Sequence, residues 1–278
     1  MPLVSVLTIV RNGQDTLPGT IRSVLSQTYP NIEYVIVDGA STDRTMEIIR
    51  GCDGDIDRWI SEPDRGTSDA INKAISLARG EYVSWLGSGD WFDADFIETA
   101  VSSLVGSGAD YVFGDLRIYR DDVLVQLVKG DLDSAAPIAP EVHSVALPSR
   151  VTRTSPSMVT KRACFEHVGL FELNYKIRND FEWILRLHLH GATGLYDSRL
   201  VGHFRLGGLS DKGGDFTHIF ENLRILRRHR LLTPSVAAPH VGTLIRYSTG
   251  YLARLLMPKM LHRTLRRMMR RGDSVLTL

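Results

Sequence analysis

The chain has 278 residues, 43% of them hydrophobic and 23% charged, which excludes a disordered polymer and suits one large domain, or a domain with an appendage. Its two cysteines, Cys52 and Cys164, exclude a disulfide framework and lack metal-ligand spacing, so both read as small buried residues in a reducing compartment. The net charge of +1 hides a segregation: residues 241–271 carry eight basic residues and no acid, against 25 basic residues and 32 acids elsewhere, and such a segment predicts an anionic surface as partner.

No basic region followed by an apolar one precedes the first strand pattern, so no secretory signal is expected. No uncharged stretch nears the ~20 residues that span a bilayer. A cytoplasmic protein is expected.

In chain order, the apolar run Leu3 to Val10 predicts a buried strand. Leu17, Ile21, Val24 and Leu25 recur at helical spacing over 16–27. Glu33 to Val37 is the second expected strand, followed by a helix capped by Asp43 and running to about Arg50. Arg58 to Ser61 is the third strand. A helix capped by Thr67 or Ser68 then runs through Ala78 and ends at Arg79-Gly80. Glu81 to Leu86 is the fourth strand, Asp93 to Leu104 a helix, and Tyr111 to Tyr119 a strand. Residues 130–150 read as a loop, 161–190 as two helical pieces broken at Gly169, Leu195 to Phe204 as a strand, and 215–230 and 241–271 as helices, the latter interrupted at Pro258.

Strands alternating with helices predict an α/β fold with a mainly parallel sheet flanked by helices. Ligands of such sheets bind at the carboxyl ends of the strands. Those ends are Arg11-Asn12-Gly13, Asp38 to Ser41, Glu62 to Gly66 and Gly87-Ser88-Gly89-Asp90, and all four are expected to converge on one cleft. No Walker A sequence, no Gly-x-Gly-x-x-Gly after the first strand, no zinc-type cluster and no Gly-x-Ser-x-Gly elbow is present. What remains is acids and small residues at strand ends, a set suited to the base, ribose and diphosphate of a nucleotide.

The run Val4 to Asn12 resembles the opening strand of family 2 glycosyltransferases with the GT-A fold. Ser26 to Asp43, reading SQTYPNIEYVIVDGASTD, resembles their next signature closely. Ile60 to Gly66 and Asp69 to Ala74 resemble a subgroup that builds bacterial surface polysaccharides, and the likeness covers residues 3–210. The resemblance implies a GT-A catalytic domain over 1–212, with a nucleotide-sugar-binding half at 1–120 and an acceptor half at 121–212. A basic helical extension at 213–278 would follow. It implies that Thr8, Val10 and Asn12 line the nucleotide pocket and that Asp38 with Gly39 lies against the base or ribose. Asp64, Asp69, Asn72 and Lys73 would border the diphosphate and ribose, and Ser88, Gly89 and Asp90 would meet the diphosphate. Bland accounts stand beside these: an Asx turn for Asp38, a first-turn helix acid for Asp69 and a solvated helix residue for Lys73.

The family's acid-rich metal turn is reduced here to Gly87-Ser88-Gly89-Asp90. A Mg²⁺ or Mn²⁺ ion would therefore rest on Asp90 alone among protein carboxylates, the rest of its shell coming from phosphate and water. Asp93-Ala94-Asp95 matches Asp-x-Asp by letter but reads as the start of the next helix. His203 is a further candidate ligand, with a structural histidine as the competing account.

Asn179-Asp180-Phe181-Glu182 resembles the family's acidic motif ahead of an amphipathic helix and implies Asp180 as the general base, with a helix cap as the alternative. Glu182 pairs by spacing with Arg186. Phe204 to Ser210 resembles the subgroup too. Its glycines suit a closing loop with Arg205 on phosphate, or a plain turn.

Leucines and methionines among the cations of 241–271 predict a basic amphipathic helix at the inner face of an anionic membrane, with packing against the catalytic domain as the alternative. The segment's only aromatics are Tyr247 and Tyr251, so nucleic acid is not expected. The expected function is inverting transfer of a sugar from a nucleotide diphosphate, UDP first, to a hydroxyl of a saccharide or lipid-linked saccharide in cell-surface polysaccharide synthesis. Two rivals stay open: a non-catalytic nucleotide-sugar or glycan-binding relative, and a nucleotidyltransferase.

Overall fold

The computed structural model describes residues 1–130, 155–208 and 214–232. The expected loop at 131–150 and the basic helix at 241–271 lie outside the described residues.

In chain order the elements are β1 (Val4–Val10), α1 (Leu17–Leu25), β2 (Ile32–Asp38), α2 (Thr45–Gly51), β3 (Arg58–Ser61), α3 (Thr67–Leu77), β4 (Tyr82–Gly87), β5 (Trp91–Phe92) and α4 (Phe96–Ser107). They continue with β6 (Tyr111–Arg120), β7 (Val123–Val128), β8 (Met158–Lys161), α5 (Ala163–Val168), α6 (Asn179–Leu189), β9 (Gly194–Arg205) and α7 (Gly214–Arg228). The strands form one sheet in the order β3-β2-β1-β4-β8-β6-β9-β5, with β7 on β6. β1 runs parallel to β2 and β4, β2 to β3, and β6 to β9. Because β8 is antiparallel to both β4 and β6, those two also point the same way. All the longer βα strands therefore present their carboxyl ends on one edge, and only β5, β7 and β8 run against them. These three are the strands that the sequence reading does not anticipate. β5 has two residues, too few for a periodic signal, and β7 is the uniformly apolar-looking VLVQLV with five of its six residues exposed.

Alternation along β1 builds the two faces. Val4, Val6 and Val10 join Leu17, Ile21 and Val24 of α1, Ile49 of α2 and Phe96, Ile97 and Leu104 of α4 in one core. Leu7 joins Ala70, Ile71 and Ala74 of α3, Phe165 of α5 and Trp183, Ile184 and Leu187 of α6 in the other. Trp183 is its anchor, stacked 4.5 Å from Phe165 and 5.3 Å from Phe171 and edge-on to Trp85 at 6.0 Å. Full burial of each such ring stabilises by roughly 2–3 kcal/mol.

α7 begins just beyond the expected boundary at residue 212 and packs on α6. Ile225 meets Tyr175 and Leu185 in a third apolar cluster. His229, just past α7, lies 3.1 Å from the fully buried Glu182. The expected Glu182–Arg186 pair is present, bidentate at 3.0 Å, and Arg186 also donates to the carbonyls of Val168 and Leu170. The two helical pieces expected over 161–190, broken at Gly169, are present as α5 and α6. α5 ends at Gly169 with φ +85, and the chain stays irregular as far as Asn179.

A candidate nucleotide-sugar site at the strand ends

Three of the four strand-end loops are stitched together by side-chain to backbone bonds. Asn12 sits at φ 52, a conformation that asparagine tolerates. Its Oδ1 accepts the Thr42 amide at 2.9 Å, and its own amide donates to Ser41 Oγ at 2.7 Å. The Gly13 amide donates to Thr45 Oγ1 at 2.9 Å, and the Gln14 amide to Asp43 at 3.1 Å. Asp43, expected as the cap of α2, stands one residue before the cap position, which Arg44 takes, and accepts the Thr45 amide at 3.0 Å. Asp38, fully buried, accepts the Ser41 amide at 3.0 Å, Ser61 Oγ at 2.6 Å and the Ser41 hydroxyl. It is an Asx turn that also ties β2 to β3.

A Cβ on Gly39 would stand 2.1 Å from Asp64 Oδ2, so glycine there lets the Asp64 carboxylate lie flat on the β2 end. Asp64 Oδ1 accepts the Gly66 amide at 2.9 Å. Asp69 accepts the Arg65 amide at 3.1 Å, and that bond, with the Arg65 and Lys73 charges, holds its carboxyl below the usual range against the opposing effect of burial. Lys73 is anchored on the Pro63 carbonyl at 2.8 Å and on Glu62 at 2.7 Å. Asn72 is committed elsewhere. Its amide exchanges two bonds, of 2.8 and 2.9 Å, with the Phe171 backbone, clamping α3 to the segment between α5 and α6.

The fourth loop leans on α1. Ser88 shares a 2.7 Å bond with Thr16, and the Gly89 amide, at φ +108, donates to Thr20 at 2.9 Å. A Cβ on Gly13 would meet Ser88 Oγ at 2.5 Å, which brings the β4 end against the β1 end. Asp38, Gly39, Asp64, Ser88, Gly89 and Asp90 thus gather at one edge of the sheet with the Asn12 loop. Thr8 and Val10 do not join them on its surface. The Thr8 hydroxyl is paired with Tyr34 at 3.1 Å, and Val10 is packed in the core.

Asp90 is 6% exposed, and its two oxygens accept the Gly87 amide at 3.2 Å and the Arg205 amide at 3.1 Å. Burial pushes its carboxyl up to about 7, and the negative charge of Asp180 adds to that rise, while the two amides and the Arg205 charge oppose it. Asp180, half-buried in the first turn of α6, is therefore brought within electrostatic reach of Asp90 across 90 residues of sequence. α6 begins one residue before it with Arg178 in the cap position, so Asp180 lies inside the helix and is not its cap.

Arg205 closes the edge from β9. Its guanidinium pairs with Asp122 at 2.6 Å and lies 5.7 Å from the centre of the Trp91 ring, and its Nε has no partner among the described residues. Beside it, a cavity of about 180 Å³ is lined by Thr16, Gly19, Thr20, Gly89, Trp91, Tyr119, Asp122 and Arg205. It lies on the α1 side of the loop, and neither Asp90 nor Asp180 lines it. Trp91 and Asp122 escape sequence reasoning, although Trp91 directly follows the one surviving acid of the metal turn.

His203 is a structural residue, 3% exposed. It lies 3.1 Å from Tyr119 Oη and 3.0 Å from Asp93 and is stacked on Trp91, and burial pushes its pKa down. Asp93 is thus engaged by His203, and Asp95 takes the cap position of α4. Among the described residues no group of three or more His, Cys, Asp or Glu side chains is placed to hold a metal ion. Asp90 nevertheless fits an ion held mainly by a substrate. It is a buried carboxylate whose charge the protein compensates incompletely, and an added cation would complete that compensation.

The family model for glycosyl transferase family 2 matches residues 5–131. An uncharacterized glycosyltransferase of Mycobacterium tuberculosis, Rv1514c, is 34% identical over 192 residues, covering 68% of this chain and 70% of that protein. The Escherichia coli enzyme WfaP, named a UDP-Glc:alpha-D-GlcNAc-diphosphoundecaprenol beta-1,3-glucosyltransferase, is 33% identical over 125 residues, covering 45% of this chain and 50% of that one. Among solved structures, residues 1–349 of S. aureus TarS in complex with UDP-GlcNAc superpose with a TM-score of 0.62 at 18% identity, over 85% of this chain and 66% of that one. At that identity the likeness speaks to the GT-A-like fold. With the family model over residues 5–131 and a relative matched over two thirds of both chains, the chain belongs to glycosyltransferase family 2 and is a glycosyltransferase.

Proposed function

We propose that the protein is an inverting transferase. It would move a sugar from a nucleotide diphosphate, UDP first, to a hydroxyl of a saccharide or lipid-linked saccharide during cell-surface polysaccharide synthesis. The observation that carries this reading is that the charge of Asp180, in the first turn of α6, acts on the buried Asp90 at the strand ends. One acid would hold the diphosphate side and the other the acceptor side. The Asp180 carboxylate would take the proton from the acceptor hydroxyl as its oxygen attacks the anomeric carbon. The bond from that carbon to the phosphate oxygen breaks, its electron pair leaves with the nucleotide diphosphate, and the configuration inverts. A base in this position contributes about 10²–10⁴-fold. Asp38, Gly39 and Asp64 would receive the base and ribose, and Ser88, Gly89 and Arg205 the diphosphate. Asn12, Asp69 and Lys73 would hold the loops that carry them. A Mg²⁺ or Mn²⁺ ion between Asp90 and the diphosphate would offset the charge of the leaving group.

The UDP-GlcNAc complex of TarS and the UDP-Glc and diphosphoundecaprenol in the name of WfaP support the choice of donor and of a lipid-linked acceptor. On this reading residues 1–120 serve the donor and 121–212 the acceptor, and the eight cations of 241–271 attach the protein to the inner face of an anionic membrane. No described helix is long and apolar enough to cross one. The decisive experiment is turnover of UDP-sugars by Asp180→Asn. We expect transfer to fall by about 10²-fold or more with UDP affinity retained, whereas near-wild-type transfer removes Asp180 from the mechanism.

A further inference from the structure

The segment that leads into α6 has no secondary structure of its own between Gly169 and Asn179, yet it must aim Asp180. Asn72 of α3 holds its Phe171 backbone, and α7 holds its last three residues. Glu221 is 6% exposed, and its carboxylate receives three consecutive backbone amides: Lys176 on Oε1 at 2.8 Å, and Ile177 and Arg178 on Oε2 at 3.0 Å each. Successive amides turned to one point form an anion-binding nest, and here the anion is a side chain of the same protein. The neighbouring Asn222, 5% exposed, accepts Arg178 Nε at 2.6 Å. Arg178 occupies the cap position of α6, two residues before Asp180. Its pKa is pushed down to about 10 by burial, and the charges of Glu221 and Asp180 on either side pull it back up.

We propose that Glu221 is a positioning residue for the transfer reaction. By gripping the 176–178 backbone and Arg178, it fixes where α6 starts and so where the Asp180 carboxylate points. This rests on the reading of Asp180 as the base. No other described residue accepts any of these three amides. They are bonded through a helix more than 40 residues further along the chain, so the geometry of the base depends on an element that contributes nothing to the strand-end cleft.

The test measures kcat, KM for the donor and UDP affinity for Glu221→Ala and Glu221→Gln. Glutamine keeps the shape and one acceptor oxygen but turns an NH₂ toward the other amides. A base misplaced by about 1 Å costs about 10²-fold. We therefore expect kcat to fall about 10–100-fold in Glu221→Ala and by an intermediate factor in Glu221→Gln, with UDP affinity within twofold of wild type. If Glu221→Ala fails to fold, the isosteric Glu221→Gln decides. Unchanged kcat in the folded variant overturns the proposal. So does a parallel loss of kcat and UDP affinity, the mark of general loosening. Asp180→Asn is run beside them. Near-wild-type turnover there sinks the base reading itself, whereas an inactive Asp180→Asn with a fully active Glu221→Gln sinks only the positioning role.

Discussion

The loops at the ends of β1, β2 and β3 bond to one another across about 30 residues or fewer: Asn12 to Ser41 and Thr42, Gly13 to Thr45, Asp38 to Ser61. The α6 region is held differently. Its leading segment depends on Asn72 of α3, 99 residues earlier, and on Glu221 and Asn222 of α7, some 45 residues later. The proposed donor edge is thus a product of consecutive βα units whose turns are polar and short. The proposed acceptor edge is assembled from remote elements around buried charges, and the Asp180 charge on it acts on Asp90. Variants in the donor edge should alter nucleotide affinity with modest loss of stability, and variants in the acceptor edge should strike stability or kcat first.

The largest effect should come from Glu182→Ala. Glu182 is fully buried between Arg186, itself 12% exposed on its side chain, and His229. Removing one partner of a buried pair leaves the other charge uncompensated, at a cost of about 3–5 kcal/mol. Urea denaturation measures it, and a loss below about 1 kcal/mol would show that the acceptor edge does not depend on this cluster. Next comes Gly39→Ala. The new methyl would meet Asp64 Oδ2 at 2.1 Å, and the carboxylate must swing off the β2 end. UDP affinity should drop about tenfold, or about 1.4 kcal/mol, while the melting temperature moves little. Titration of UDP checks this, and unchanged affinity would remove Asp64 from the nucleotide contact.

This asymmetry explains what the sequence discloses. The strands and helices from β1 to β4 are legible because each is a periodic run closed by Asp, Gly or Asn, and because long signatures such as Ser26 to Asp43 are local. Asp38 and Asp90 are legible for the same reason. The motif does not reveal that the Thr8 hydroxyl is paired with Tyr34 or that Val10 packs in the core. Nor does a helical asparagine at the right spacing reveal that the Phe171 backbone holds the Asn72 amide. Glu221 has no local signal: its helix reads as one more amphipathic segment, and only packing shows three amides converging on its carboxylate.

A pH titration sharpens the comparison at the meeting point. Burial with Asp180 nearby raises Asp90 from 3.8 to about 7. The raised value means that its contribution to metal-free stability is fully present below about 4 and is lost as pH rises through about 7. The same proton competes with a cation. Mn²⁺ affinity in the presence of UDP should fall about tenfold per pH unit below 7 and level off above it. Calorimetry between pH 5.5 and 7.5 reads this directly. A flat profile would place the ion elsewhere, and Asp90→Asn should abolish the dependence.

The smallest effect tests whether long range is the property that matters in the second half. Asp197 of β9 accepts Ser103 Oγ of α4 at 2.6 Å and is paired with its near neighbour Arg199 at 2.6 Å. The Arg199 hydrogen bonds hold the Asp197 carboxyl down at about 2, against the effect of burial. Arg199 is 68% exposed on its side chain, so solvent screening keeps the contribution of the pair small. A depressed carboxylate stabilises above its ordinary value near 3.8 and loses that contribution as pH falls through about 2. Arg199→Ala should therefore lower stability only slightly at pH 7, far less than Glu182→Ala, and the gap to wild type should close as pH falls from about 4 toward 2. Denaturation midpoints across that range measure it. If Arg199→Ala instead matches Glu182→Ala, then charge on an exposed local pair weighs as much as charge buried between remote helices. The contrast between the two edges of the site would then have to be drawn from burial of the backbone rather than from the span of the contacts.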